Sequence, residues 1–143
     1  MRELPRQLSS SELAPLFSGR TRLVDELAER EDPLVVAEEV ALALAEDDQV
    51  AALATHPRIG EPSEEQRGAE PEVLAELERL NEEYERRFGF SFVVFVDGRT
   101  RAELVPVLRE RLGRTRDEEL ETGLRALCAI ARARWEQGWT RTT

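Results

Sequence analysis

The chain has 143 residues, enough to bury a continuous core, and its 41% hydrophobic and 35% charged residues are typical of a globular protein that forms helices. The formal net charge of −10 argues against a nucleic-acid partner, because phosphate binding requires a basic surface. No apolar run approaches the roughly 20 residues that span a bilayer, and the first residues lack the apolar core of a secretory signal, so we expect no membrane partner and a cytoplasmic location.

The first half of the chain is divided into helical blocks by capping residues, glycine and proline. The serines at 9–11 begin a short helix that ends at Gly19, and residues 21–30 form a second block. Asp32 followed by Pro33 predicts a further helix start, at which the carboxylate can cap free amides. Residues 34–54 predict one central helix, or a pair of helices broken at the acidic cluster 46–49.

A glutamate-rich helix is predicted at residues 71–88, where apolar residues recur every three or four positions, with Gly89 as its C-terminal cap. Residues 90–96 are β-branched and aromatic, but a lone strand has no evident partner, so we expect a buried extended or helical segment. No internal repeat or composition break interrupts the chain. We therefore predict a single domain over residues 1–143.

Two further helices begin with a capping box, in which a threonine is followed three residues later by a glutamate. The first box is Thr100 with Glu103, and its helix runs to Leu112. The second is Thr115 with Glu118, and its helix runs to about residue 135. The predicted fold is therefore an all-α, multi-helical bundle.

The residue types that are missing restrict the chemistry. All 20 basic residues are arginine, so Schiff-base chemistry, a pyridoxal anchor and a phosphate-loop lysine are excluded. One histidine and one cysteine argue against a metal site of the zinc type. Cys128 lies within an apolar helical pattern, which favours a core residue over a nucleophile. Catalysis would have to use His56, carboxylates, arginines and hydroxyls.

His56 is the natural proton shuttle, because its unperturbed pKa lies near neutrality. Pro57 forces the preceding residue out of the helical region, so His56 should lie just past a helix end. The alternative is an ordinary surface histidine that is favoured by the negative end of that helix. The turn between Pro57 and Gly60 favours a shaped site.

Glu65 and Gln66 follow Ser63, which can cap a helix with Gln66 at its third position. Capping explains Ser63 and Gln66 but leaves Glu65 unexplained. A carboxylate in the first turn is stabilised as an anion by the helix dipole, so Glu65 could orient an imidazole or accept a proton. Spacing alone does not decide between capping and catalysis.

Arg134 continues the apolar stripe of the last helix, one step of three beyond Ala131. An arginine on an apolar face is costly unless its guanidinium finds a partner or borders a cavity. Two interpretations stay open: a buried ion pair with a glutamate, or a clamp for a substrate carboxylate or amide.

The ordered set of motifs resembles the OHCU decarboxylase family, whose members act on 2-oxo-4-hydroxy-4-carboxy-5-ureidoimidazoline. The resemblance covers roughly residues 34–135. It rests on His-Pro-Arg-Ile-Gly at 56–60, Glu-Gln at 65–66, Leu-Asn-Glu-Glu-Tyr-Glu-Arg-Arg-Phe-Gly-Phe-Ser-Phe-Val-Val at 80–94, Val-Asp-Gly-Arg-Thr-Arg-Ala-Glu-Leu at 96–104 and Ile-Ala-Arg-Ala-Arg at 130–134.

The resemblance implies an all-helical fold and a cofactor-free decarboxylation, without metal, that yields (S)-allantoin and carbon dioxide. It also implies that the substrate is a small anionic ureidoimidazoline and that the protein forms a homodimer. His56 matches the catalytic acid/base and Glu65 its neighbour. The matches to substrate-binding positions are Pro57, Gln66, the backbone near Val94, and Arg134.

Two departures from the family pattern lie between Gly60 and Glu65. The connection is shorter than is usual in the family. The family's serine usually lies three residues before the glutamate, but here Pro62 occupies that position and Ser63 lies two residues before Glu65. A second hypothesis is therefore a non-catalytic helical module that retains the fold. The two hypotheses differ in geometry, because a lyase requires His56, Glu65 and Arg134 to converge on one pocket.

Overall fold

The computed structural model describes residues 3–56 and 71–138. Within these ranges the chain forms helices and no strand, so the all-α prediction is confirmed. None of the described helices is long and apolar enough to cross a membrane. In chain order the helices are α1 Ser10–Leu13, α2 Arg22–Ala28, α3 Pro33–Ala43, α4 Glu46–Ala54, α5 Pro71–Phe88, α6 Arg101–Leu112 and α7 Arg116–Glu136.

Both predicted capping boxes are present. At the start of α6 the Thr100 hydroxyl accepts a hydrogen bond from the Glu103 amide at 3.2 Å, and the Glu103 carboxylate accepts one from the Thr100 amide at 2.9 Å. Thr115 and Glu118 form the same pair at the start of α7. Each box satisfies two amides that have no partner within the helix.

The start of α3 differs from its prediction. Asp32 does occupy the capping position, but its backbone is left-handed, with φ of 52°, and its side chain makes no capping hydrogen bond. The expected carboxylate cap is therefore wrong. The Val35 amide, which a side-chain cap could bind, instead donates to the Asp32 carbonyl at 2.9 Å.

The central region forms two helices rather than one, which confirms the second of the two alternatives. The break lies at Leu44 and Ala45, just before the acidic cluster and not within it. The cluster instead forms the first turn of α4, where Glu46, Asp47 and Asp48 interact favourably with the positive end of the helix dipole.

The last helix packs against two of the others. α7 contacts both α3 and α4, and its predicted stripe is buried. Cys128 lies in the same core, and burial raises the pKa of its thiol to about 12. A thiol that stays protonated is a poor nucleophile, which agrees with its prediction as a core residue. The stripe residues are Leu120, Leu124, Leu127 and Ala131.

The segment after α5 is extended and buried, as expected, but pairs with no strand in the described ranges. Gly89 ends α5 in the left-handed conformation, with φ of 82°. The rings of Phe90 and Phe92 then pack against Tyr84 of α5, with centroid distances of 6.0 and 5.1 Å. Aromatic packing therefore anchors one side of this segment.

A buried carboxylate anchors the other side. Glu119 of α7 has 0% of its surface exposed, and it accepts hydrogen bonds from the Tyr84 hydroxyl at 2.6 Å and from Arg111 Nε at 2.7 Å. Arg114 lies 3.0 Å from its second oxygen. Arg111 in turn donates to the carbonyl of Val93 at 2.9 Å. One buried ion cluster thus joins α5, α6 and α7 to the extended segment.

Removing the charge of Glu119 is expected to destabilise the protein strongly. Glu119→Gln keeps the shape of the side chain but leaves the buried guanidinium of Arg111 without its counter-ion, so the free energy of unfolding should fall by about 3–5 kcal/mol. Urea denaturation followed by circular dichroism measures the change.

The matched control is Glu121→Gln on the same helix, where the side chain of Glu121 is 57% exposed and pairs with Arg125. This exposed pair should be worth no more than about 1 kcal/mol. Equal denaturation midpoints for the two variants would contradict the structural role of Glu119.

Candidate active site

The site is built where the end of α4 meets the loop that follows α1. The Thr55 hydroxyl donates a hydrogen bond to the carbonyl of Phe17 at 3.1 Å. Gly19 packs on the same threonine, and a Cβ at this glycine would lie 3.2 Å from Thr55 Cγ2. A side chain at position 19 would require Thr55 to shift by a few tenths of an ångström. The loop at 17–19 is therefore held directly against the turn that carries His56.

His56 lies two residues beyond the end of α4, as the sequence predicted. Its amide donates to the carbonyl of Leu53 at 3.2 Å, and its Nδ1 lies 3.3 Å from the hydroxyl oxygen of Ser18. The side chain is partly buried, unlike that of the ordinary surface histidine considered as an alternative.

Burial and a neighbouring cation both favour the neutral imidazole. Burial first, and then the positive charge of Arg134, lower the pKa of His56 from 6.5 to about 4. The ring is therefore uncharged at pH 7. A neutral imidazole has one nitrogen that donates a hydrogen bond and one that accepts.

Arg134, from the last turn of α7, reaches the loop that follows α1. Its Nη1 donates to the carbonyls of Pro15 and Leu16, both at 3.2 Å, and to the hydroxyl of Ser18 at 2.7 Å. The arginine is partly buried, which agrees with its place on the apolar stripe. These bonds orient the guanidinium within reach of His56.

Ser18 is the residue that sequence reasoning missed. Its hydroxyl contacts both His56 and Arg134, and its backbone is left-handed, with φ of 65°. Serine seldom adopts this conformation, and a local sequence pattern does not reveal it. The available signal was a hydroxyl residue directly before Gly19, in the break between two predicted helices.

The structure brings together two of the predicted site residues, His56 and Arg134, at the Ser18 hydroxyl. Val94 is buried in the extended segment, where Arg111 holds the carbonyl of its neighbour Val93. The other predicted site residues lie outside the described residues: Pro57, Glu65 and Gln66. Within residues 3–56 and 71–138, no group of three or more histidine, cysteine, aspartate and glutamate side chains could hold a metal ion.

His56 is expected to titrate far below the usual range for histidine. It is the only histidine in the chain, so one imidazole signal in the proton NMR spectrum of the tag-free protein reports its state directly. The midpoint should lie near 4. A midpoint at 6.5 or above would mean that the ring is solvated and that the buried geometry is wrong.

The same depressed pKa predicts a specific loss of stability in acid. Below pH 6.5 the unfolded chain binds a proton on His56 that the folded protein does not bind until about pH 4, so the folded state is disfavoured as the pH falls through this window. In His56→Gln this loss should disappear. At about 1.4 kcal/mol per pH unit, the difference between the pH profiles should reach at most about 3 kcal/mol. Parallel profiles from pH 7 to pH 4 would contradict the prediction.

Two curated relatives align with most of the chain. In an alignment of 107 residues that covers 66% of this chain, it is 31% identical to the uric acid degradation bifunctional protein PucL of Bacillus subtilis (strain 168). It is 26% identical over an alignment of 153 residues, 92% of its length, to the uric acid degradation bifunctional protein of Bacillus sp. (strain TB-90). The chain spans only 22% and 30% of these two relatives.

Two solved structures share the arrangement of helices. An OHCU decarboxylase crystallised in the presence of (S)-allantoin aligns with a TM-score of 0.73 at 24% identity, covering 83% of this chain and 91% of that one. A structure of (S)-allantoin synthase aligns with a TM-score of 0.71 at 19% identity, covering 90% and 48%. The sequence model of OHCU decarboxylase matches residues 4–136, from before α1 to the end of α7, and the chain therefore belongs to the OHCU decarboxylase family.

Proposed function

We propose that this chain decarboxylates 2-oxo-4-hydroxy-4-carboxy-5-ureidoimidazoline to (S)-allantoin and carbon dioxide without a cofactor. The observation that carries the proposal is the meeting of a neutral histidine and an arginine cation at one serine hydroxyl, in a chain of this family. The names of the two bacterial relatives support a role in uric acid degradation. The product is supported by the two solved structures, of which one was obtained in the presence of (S)-allantoin and the other is an (S)-allantoin synthase.

The substrate supplies its own electron sink. When the bond to the carboxylate carbon breaks, its electron pair moves into the ring toward the adjacent imine nitrogen. The hydroxyl on the same carbon then loses its proton and becomes a carbonyl, while the imine nitrogen and the ureido-bearing carbon each gain one. The carboxylate anion thus takes up one proton overall and gives a neutral product and carbon dioxide. Positioned proton exchange and charge stabilisation are all that the protein must provide.

His56 is the group proposed to exchange these protons. It is neutral at pH 7, partly buried, and held in place from its Nδ1 side by Ser18. A side chain that is uncharged in the resting protein can exchange a proton within a partly dry site, and transfer by such a group typically contributes 10²- to 10⁴-fold to a rate.

Arg134 is the group proposed to hold the anion. With a net charge of −10 on the chain, an anionic substrate requires a local cation. The two hydrogens of Nη1 are shared among three oxygens of the loop at 15–18, and these contacts limit the rotamers that the guanidinium can adopt before substrate binds. A cation that is already oriented loses less entropy on binding than a solvated one.

The remaining predicted roles belong to the same proposal. Glu65 would orient His56 or take a proton, while Pro57, Gln66 and the backbone of Val94 would contact the substrate. The bond from Arg111 to the Val93 carbonyl fixes the backbone beside Val94, which supports the last of these roles. The expected homodimer and cytoplasmic location are also part of the proposal.

The test mixes purified protein with freshly prepared 2-oxo-4-hydroxy-4-carboxy-5-ureidoimidazoline and follows the circular dichroism of the allantoin that forms. The protein should accelerate the appearance of the (S) enantiomer, and His56→Gln should lower kcat/KM by about 10²- to 10⁴-fold. If the folded protein left both the rate and the chirality unchanged, the alternative of a non-catalytic helical module would replace the proposal.

Arg134 is tested separately through substrate affinity. Arg134→Gln should raise KM by about 10- to 100-fold, because a charge-assisted hydrogen bond to the anion is lost. The matched control is Arg132→Gln on the same helix, where an exposed arginine contacts the Leu34 carbonyl at 3.4 Å. Thermal denaturation of both variants separates a loss of affinity from a loss of fold. Equal KM values for the two would remove Arg134 from the site.

A further inference from the structure

We propose that Ser18 is a positioning residue that determines which nitrogen of His56 carries the ring proton. In this arrangement the Ser18 hydroxyl accepts a hydrogen bond from Arg134 and donates one to His56 Nδ1, so the ring proton lies on Nε2. The catalytic consequence rests on the proposed function, whereas the hydrogen-bond arrangement itself does not.

The direction of the first hydrogen bond is certain from the chemistry of arginine. A guanidinium has only donors and keeps its charge at any physiological pH. The bond from Arg134 Nη1 to the Ser18 oxygen is 2.7 Å long, which is typical of a charge-assisted hydrogen bond. One lone pair of the serine oxygen is therefore occupied, and its hydrogen must point away from the cation.

The direction of the second hydrogen bond, between Ser18 and His56, follows from the acceptors that are available to the serine hydrogen. Within the described ranges, the side chains that hydrogen-bond the Ser18 hydroxyl are Arg134 and His56. If Nδ1 carried the proton, two donors would converge on one oxygen and the hydroxyl hydrogen would have no acceptor among these atoms. Leaving a donor unsatisfied in a partly buried site is unfavourable. An Nδ1 that accepts the hydrogen satisfies all three groups.

The backbone of Ser18 is an independent observation. Its φ of 65° places a residue with a side chain in a region that favours glycine. Contacts on both sides hold it there: Thr55 bonds the Phe17 carbonyl and packs on Gly19. A hydroxyl that is kept in a strained conformation, between a histidine and an arginine, points to a function for that hydroxyl.

The consequence for the reaction is that His56 meets the substrate as a donor through Nε2. The substrate group that it contacts must then be a hydrogen-bond acceptor. The substrate anion takes up one proton overall. When Nε2 gives its proton to the substrate, Nδ1 must gain one from solvent through the Ser18 hydroxyl, so that the ring ends neutral and no imidazolate forms. Ser18 acts through His56 and need not touch the substrate.

The test measures the tautomer directly. A two-bond proton–nitrogen correlation spectrum of the tag-free, ¹⁵N-labelled protein at pH 7, without substrate, distinguishes the two tautomers of its only histidine. The wild-type chain should show a proton on Nε2. Ser18→Gly removes the hydroxyl, and glycine adopts the left-handed backbone without strain. This variant should lose the tautomer preference while its melting temperature changes little, because relief of the strained backbone offsets the lost hydrogen bond from Arg134, and kcat/KM should fall by about tenfold or more.

A complementary variant separates the hydroxyl from the backbone. Ser18→Thr keeps the hydroxyl, but a β-branched residue is strained at this φ. It should keep the tautomer while its melting temperature falls. Ser18→Gly therefore changes the tautomer and Ser18→Thr changes the stability, a separation that a purely structural role of Ser18 cannot produce.

A proton on Nδ1 in the wild-type chain, or an unchanged tautomer in Ser18→Gly, would overturn the proposal. So would a Ser18→Gly variant with an altered tautomer and full activity, since the tautomer would then have no catalytic consequence. If the wild-type chain failed to act on the substrate but the tautomer changed as expected, the hydrogen-bond arrangement would stand and the proposed function would fail.

Discussion

The arrangement of the site depends on the guanidinium of Arg134. Through it the last turn of α7 bonds to the loop after α1, more than one hundred residues earlier in the chain. The Pro15 and Leu16 carbonyls, which follow the end of a short helix, are suitable acceptors for a cation. The same guanidinium lies beside His56. It therefore joins α7 to the loop after α1 and also lowers the pKa of the imidazole.

A second arginine has the same function at the extended segment. Arg111 donates to the Val93 carbonyl and pairs with the buried Glu119, so residues without regular secondary structure are held by a guanidinium rather than by a neighbouring strand. Arg111 uses two nitrogens of one planar group, Nε and Nη1, and a lysine ammonium does not present donors in such a fixed geometry. The use of arginine for every basic residue in the chain is compatible with this role.

The helices were largely predictable because their signals are local. A capping box such as Thr115 with Glu118 places both partners within one turn, and Gly89 ends α5 by its own backbone freedom. The left-handed backbone of Asp32 and the position of Ser18 were not predictable, since contacts with distant residues determine them. The sequence indicated that Arg134 faces inward, but not that its partners would be backbone carbonyls of the first loop.

Two features of the site are unfavourable when each is considered alone. The left-handed backbone of Ser18 is strained, and the depressed pKa of His56 costs stability in acid. On the proposed function, the second feature changes when substrate binds. An anion beside Arg134 would offset the part of the pKa depression that comes from this cation, while the larger part that comes from burial would remain. The pKa of His56 would then rise toward neutrality in the complex, where an acid–base group transfers protons most efficiently.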